Sequence, residues 1–107
     1  MKLKTRWAEY DGCYLVVDKY VADKSPAIQI WNMADGPIAK LTVCLDFPGQ
    51  LGDNESFVDT NNLPEAMDFI REYGLGEETG LGARSGRCIY PLVRWNMDAV
   101  EKYKSAS

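Results

Sequence analysis

The strictest constraint in the sequence is the alternation across residues 38–45. Ala39, Leu41, Val43 and Leu45 share one parity, and Lys40, Thr42 and Cys44 the other. Successive side chains of a strand turn to opposite faces. The pattern therefore predicts an extended segment with one covered face and one wetter face, as in an antiparallel sheet. The preceding residues fit the same plan. Residues 3–10 alternate weakly, and Asp11-Gly12 is a two-residue hairpin signal. Cys13, Leu15 and Val17 place residues 13–21 in a strand. Ile28 and Ile30, set against Gln29 and Trp31, place residues 27–32 in another. Asp23-Lys24-Ser25-Pro26 and Asp35-Gly36-Pro37 read as the turns between them.

The periodicity changes after a polar loop at 46–55 and a short extended piece at 56–59. Leu63, Ala66, Phe69, Ile70 and Tyr73 form one apolar stripe, which predicts a helix over 62–73. Asn62 is placed to cap its start, with Glu65 three residues on to reach back. Gly74 is placed for a left-handed ending, with Leu75 packing back on Ile70. Residues 76–87 are rich in glycine and read as a loop. A last strand over 87–95 contains Pro91, which cannot donate to a ladder and so belongs at an edge or a bulge. Asn96 caps a short final helix, 97–104. Together these elements predict an α+β fold. A mostly antiparallel sheet of five or six strands has one face covered by the 62–73 helix, and the short C-terminal helix lies beside it. A length of 107 residues suits a single domain, 1–107, with 104–107 as a frayed tail.

Composition then narrows the chemistry. There is no histidine. That removes the commonest general acid–base and metal ligand, and with it every Ser-His-Asp or Cys-His arrangement. The odd count and wide spacing of Cys13, Cys44 and Cys88 argue against a disulfide framework and for buried free thiols in a reducing cytoplasm. A zinc site would need all three cysteines and a carboxylate brought together. Asp53-Asn54-Glu55 lacks the ligand spacing of a calcium loop. The expectation is no metal and no cofactor. No apolar run approaches the roughly 18–20 residues that span a bilayer. The basic start, Met1 to Arg6, is not followed by an apolar signal core, which points to a cytoplasmic protein without membrane contact. The three tryptophans, Trp7, Trp31 and Trp95, are expected to bury much of their area. Trp31, on the face opposite Ile28 and Ile30, is the candidate for a self-association or assembly interface.

The distribution of charge is the main functional signal. Residues 46–78 hold nine acids against Arg71 alone, a local charge of −8. The other eleven bases and seven acids give +4. Glu65, Asp68 and Glu72 fall on one helical face by their spacing, and Glu77 and Glu78 follow the helix end, where the macrodipole disfavours acid. Asp53 and Glu55 extend the acidic run. One reading is a solvated, solubilising face. The sharper reading is a surface for a basic protein partner, imitating the phosphates that partner would otherwise bind; direct contact with nucleic acid is not expected. A second candidate lies in the glycine-rich segment, where Gly80, Gly82, Arg84 and Arg87 could hold an anionic ligand such as a nucleotide. The segment lacks a complete phosphate-binding fingerprint. Carboxylate pairs of the glycosidase kind occur by chance in any chain this acidic, so binding is favoured over catalysis.

The second half of the chain also resembles a known but uncharacterised family. The carrying residues are Leu41-Thr42-Val43-Cys44-Leu45, then Phe57-Val58-Asp59-Thr60-Asn61-Asn62, Gly74-Leu75-Gly76, Thr79-Gly80, and Ser85-Gly86 leading to Tyr90-Pro91-Leu92. In order and spacing they are similar to short proteins of unknown function from phages, plasmids and conjugative elements of gut bacteria. The resemblance implies no catalytic residue. It implies a setting in which small acidic proteins disable host defence nucleases of the CRISPR or restriction type. Cys44 departs from the polar residue expected there, and the acidic loop 46–55 is peculiar to this chain.

Overall fold

The computed structural model describes residues 1–45 and 51–104. Nine strands and two helices follow one another among them. A short hairpin pairs β1 (Leu3–Lys4) with β2 (Glu9–Tyr10). A three-stranded antiparallel sheet has the order β3 (Tyr14–Lys19), β4 (Pro26–Asn32), β5 (Gly36–Lys40). A four-stranded antiparallel sheet has the order β6 (Thr42–Val43), β7 (Glu55–Val58), β9 (Cys88–Trp95), β8 (Gly76–Ser85). The helices are α1 (Ala66–Glu72) and α2 (Met97–Lys102). Strands hold about 46% of the described residues and helices about 13%, so the protein is mostly β. This overturns the α+β expectation of one helix packed on one sheet of five or six strands.

The alternating segment 38–45 shows why one sheet became two. It runs as an extended chain but breaks at Leu41 between β5 and β6. Leu41 donates its N–H to the Ile28 carbonyl, while its own carbonyl takes the N–H of Asp59. Thr42 is buried, its hydroxyl accepts from the Ile28 N–H at 3.0 Å, and it shares a 2.9 Å hydrogen bond with the Tyr20 hydroxyl. A polar residue at an inward position thus stitches the strand across from one sheet to the next. The apolar stripe is divided as a result. Ala39 and Leu41 join the main core, and Val43 and Leu45 pack into a second cluster.

The main core draws on both sheets and both helices: Leu15, Ile28 and Ile30, then Val58, Val93 and Trp95, then Phe69, Ile70 and Val100. The second cluster lies on the other face of the four-stranded sheet, around Phe57, Tyr90 and Leu92. That sheet is therefore apolar on both faces along β7 and β9. Trp95 is held in the main core by its indole N–H, which donates to Ser56 at 2.6 Å.

Several local expectations are met and others corrected. The end of α1 is a Schellman motif. Gly74 has φ +62°, its N–H donates to the Arg71 carbonyl, and the Leu75 N–H donates to the Ile70 carbonyl at 2.9 Å. Asn96 caps α2 by accepting from Ala99. The start of α1 differs: the helix begins at Ala66 and no side chain caps it. Asp59 captures Asn62 instead, accepting its N–H at 3.2 Å and its side-chain amide at 2.9 Å, so residues 59–62 form their own turn. Asp11-Gly12 does not join two paired strands. The turn between paired strands lies at residues 5–8, where the Thr5 hydroxyl accepts from Trp7 and Ala8.

The largest local correction is the glycine-rich segment, which is a ten-residue strand rather than a loop. Gly86 opens its two-residue turn into β9 with φ +62°. Between Glu78 and Gly82, β8 carries two residues more than β9 carries between Val93 and Pro91, a bulge at which Gly80 has φ +85°. Pro91 lies opposite that irregularity, where its missing N–H is tolerated.

Candidate functional site

The acids that the sequence grouped together separate into three sets. The first lies where α1 passes into β8. Asp68 and Glu72 are exposed on the helix, and Glu78 is exposed near the start of the strand, while the exposed Glu77 before it turns to the opposite face of the sheet. Arg71 stands among them, 3.6 Å from Asp68 and bonded to Glu78. The Schellman turn at Gly74 brings these groups together, because it reverses the chain sharply enough to set β8 beside the helix it leaves. Asp68 and Glu78 are the carboxylates paired with this guanidinium, Glu72 lies on the same helix, and exposed ion pairs of this kind contribute about 0–1 kcal/mol. The local field thus stays negative.

The second set is a row across the four-stranded sheet. Glu55, Arg94 and Glu77 occupy opposed positions on β7, β9 and β8. Glu55 is largely buried and fixed, 3.2 Å from Arg94, with its other oxygen accepting from the Gly52 N–H at 2.7 Å. It holds the turn before β7 and presents little charge to solvent. Asp53 is exposed in that turn. Asp46 lies outside the described residues. Glu65 stands alone as the third set. Its carboxylate accepts the Arg6 N–H at 3.1 Å and so anchors the β1–β2 hairpin against the start of α1.

The candidate anion site is placed differently from its sequence reading. Gly80 sits in the bulge, Gly82 and Arg84 are paired in the ladder, and Arg87 is in the turn. A β-carbon on Gly82 would lie 2.9 Å from the Tyr90 carbonyl oxygen, so this glycine serves the close approach of β8 and β9. Thr79 closes the bulge by donating to the Leu92 carbonyl at 3.0 Å and accepting from the Leu81 N–H.

Trp31 is half-buried on the outer face of the three-stranded sheet, between Tyr14 and Pro37, with its indole N–H on Gln29. Trp95 is buried as expected. Trp7 is not: it is 87% exposed at the tip of the first hairpin. It borders a groove of about 400 Å³ lined by Leu3, Tyr10, Ile38 and Pro64 among others. The signal for this outward tryptophan was Thr5 two residues before it, which folds the turn.

Of the three thiols only Cys13 is buried; Cys44 and Cys88 are half-buried. Burial pushes the thiols of Cys13 and Cys44 above the ordinary cysteine range, and the Asp23 carboxylate adds to the effect at Cys44. Neither is the lowered thiol that a nucleophile requires. Among the described residues no three His, Cys, Asp or Glu side chains are grouped to hold a metal ion, and no helix is long and apolar enough to cross a membrane.

A family described as a domain of unknown function (DUF4313) matches residues 14–107. No curated protein and no solved structure matches the chain. The match takes in both larger sheets and both helices and leaves the β1–β2 hairpin ahead of it. The chain belongs to this uncharacterised family, DUF4313.

Proposed function

We propose that the protein is a non-enzymatic binding protein of a phage or other mobile element. Its acidic face occupies a basic, nucleic-acid-binding surface on a host protein, and a CRISPR or restriction effector is the class of target. The observation that carries this reading is the cluster of Asp68, Glu72 and Glu78 on α1 and β8, with Arg71 as the cation among them and Glu77 exposed on the opposite face of the same strand. Glu72 ends the helix, where a negative charge opposes the macrodipole, so helix stability does not account for it. A surface of this sign attracts basic partners at long range and repels nucleic acid.

The test is a comparison of tagged protein with a variant carrying Asp68→Lys and Glu72→Lys. Both are purified gently from nuclease-treated lysate of a bacterium with active defence systems, then weighed intact by native mass spectrometry. The reading expects a basic protein on the wild type only, released by salt, whose binding to labelled DNA is competed by the acidic protein. Capture that is unchanged by the two reversals would sink it.

A further inference from the structure

Among the described residues, β8 forms one edge of the four-stranded sheet, with β9 as its ladder partner. It is ten residues long and has no buried residue. A bare edge of that length offers unpaired backbone groups to another strand. Its charges are polarised along its length. Glu77 and Glu78 stand at the start, no acid follows until Asp98, and Arg84 stands near the end with Arg87 in the turn beyond. Midway lies Leu81, 66% exposed on the bulge. The ladder also fixes which way the charged ends point. Glu78 opposes Val93 and Arg84 opposes Ile89, two positions of the same parity on β9, so Glu78 and Arg84 share one face of the sheet.

These features are self-complementary under a two-fold axis. Two β8 edges laid antiparallel about Leu81 set Glu78 of one copy, which also holds Arg71 of its own chain, opposite Arg84 of the other, and Arg84 opposite Glu78. Leu81 then meets its own counterpart. Opposed residues of an antiparallel pair point to the same face, as these do. A slip of one residue would set the acids and bases on opposite faces, which disfavours that register. Parallel alignment would set like charges together. We propose that the β8 edge is a self-association surface whose occupant is the β8 edge of a second copy of this chain. The bulge confines strand pairing to the segments on either side of it and leaves Leu81 as the apolar contact at the centre. The interface is isologous and uses both edges, so it closes at a dimer. It goes beyond the proposed function and leaves Asp68 and Glu72 on α1 uncovered.

Sedimentation velocity on the purified full chain tests this without any other partner. The expected result is a concentration-dependent dimer whose Kd weakens at least about tenfold between roughly 0.05 M and 0.5 M salt, because its charge pairs are exposed. A variant with Glu77→Arg and Glu78→Arg, and another with Arg84→Glu and Arg87→Glu, each place like charges across the axis and are expected to be monomeric alone. Mixed one to one, they restore opposite charges at both ends and form a heterodimer. Leu81→Asp, which leaves the four charged residues in place, is expected to be monomeric as well, and circular dichroism checks that each variant is folded. The proposal is overturned by a wild type that stays monomeric. It is equally overturned by a dimer that survives these substitutions, or by two folded charge variants that fail to recombine.

Discussion

β8 and β9 run side by side in one ladder, yet different physics holds each in place. β9 buries Tyr90 and Leu92 in one cluster and Val93 and Trp95 in the other, so its position follows from apolar area removed from water on both faces. β8 buries no side chain. It lies where it does because Gly76 and Gly82 let its backbone approach β9 closely, because Gly80 takes a left-handed turn, and because Thr79 supplies a hydrogen bond that the bulge removed from the ladder. The inner strand is set by its side chains and the rim strand by its backbone. A rim set in that way leaves its side chains free for a surface role.

The largest expected effect is on the inner strand. Trp95→Ala removes a side chain that is 3% exposed and leaves the Ser56 hydroxyl without its 2.6 Å partner. The expected loss is about 3–5 kcal/mol, read by urea unfolding. A loss below about 1 kcal/mol would break the comparison, because surface substitutions cost that little.

The next effect comes from the rim, and it must arise through the backbone. A β-carbon on Gly76 would lie 2.7 Å from Val93 Cγ1 and 2.8 Å from the Arg94 carbonyl oxygen. Gly76→Ala is expected to destabilise by about 1–3 kcal/mol through overpacking, while Glu77→Ala at the next position stays within about 0.5 kcal/mol. Equal costs at the two positions would show that side chains, not approach distance, fix β8.

Thr79→Val asks whether the bulge hydrogen bond matters. The substitution keeps the shape and removes both the donor to Leu92 and the acceptor for Leu81. The expected cost is about 1 kcal/mol, accompanied by faster amide exchange at Leu81 while the Val93 amide stays protected.

The same contrast explains what could be read from the sequence. β4 and the end of α1 were legible because side-chain periodicity and a Gly-Leu ending encode them locally, whereas β9, apolar on both faces, was legible as a strand but not as an inner one. β8 was not, because a strand without a buried stripe has no period-two signal and its glycines imitate a loop. The break at Leu41 was hidden for a different reason: Thr42 looks like an outward residue until Ile28 and Tyr20, far away in the chain, are seen to bond it. The acids were legible as a tally but not as a site. Glu65 is used by Arg6 and Glu55 by Arg94, contacts that span 59 and 39 residues and leave no trace in local spacing.

The smallest expected effect separates stability from function on the acidic face itself. Glu72 is the last residue of α1 and is exposed. Glu72→Lys places a cation where the helix dipole favours one, and relieves the repulsion from Asp68 four positions before it. The variant should therefore be more stable than the wild type, by about 0.3–1 kcal/mol in urea unfolding at low salt, and the gain should shrink as salt is added. If the acidic face exists for a basic partner, the same variant should lose salt-sensitive binding as it gains stability. A gain in stability with unchanged binding would assign Glu72 to solubility alone. A loss of stability would mean that Glu72 makes a supporting contact within the fold, and that the rim of the molecule is less free than its exposure suggests.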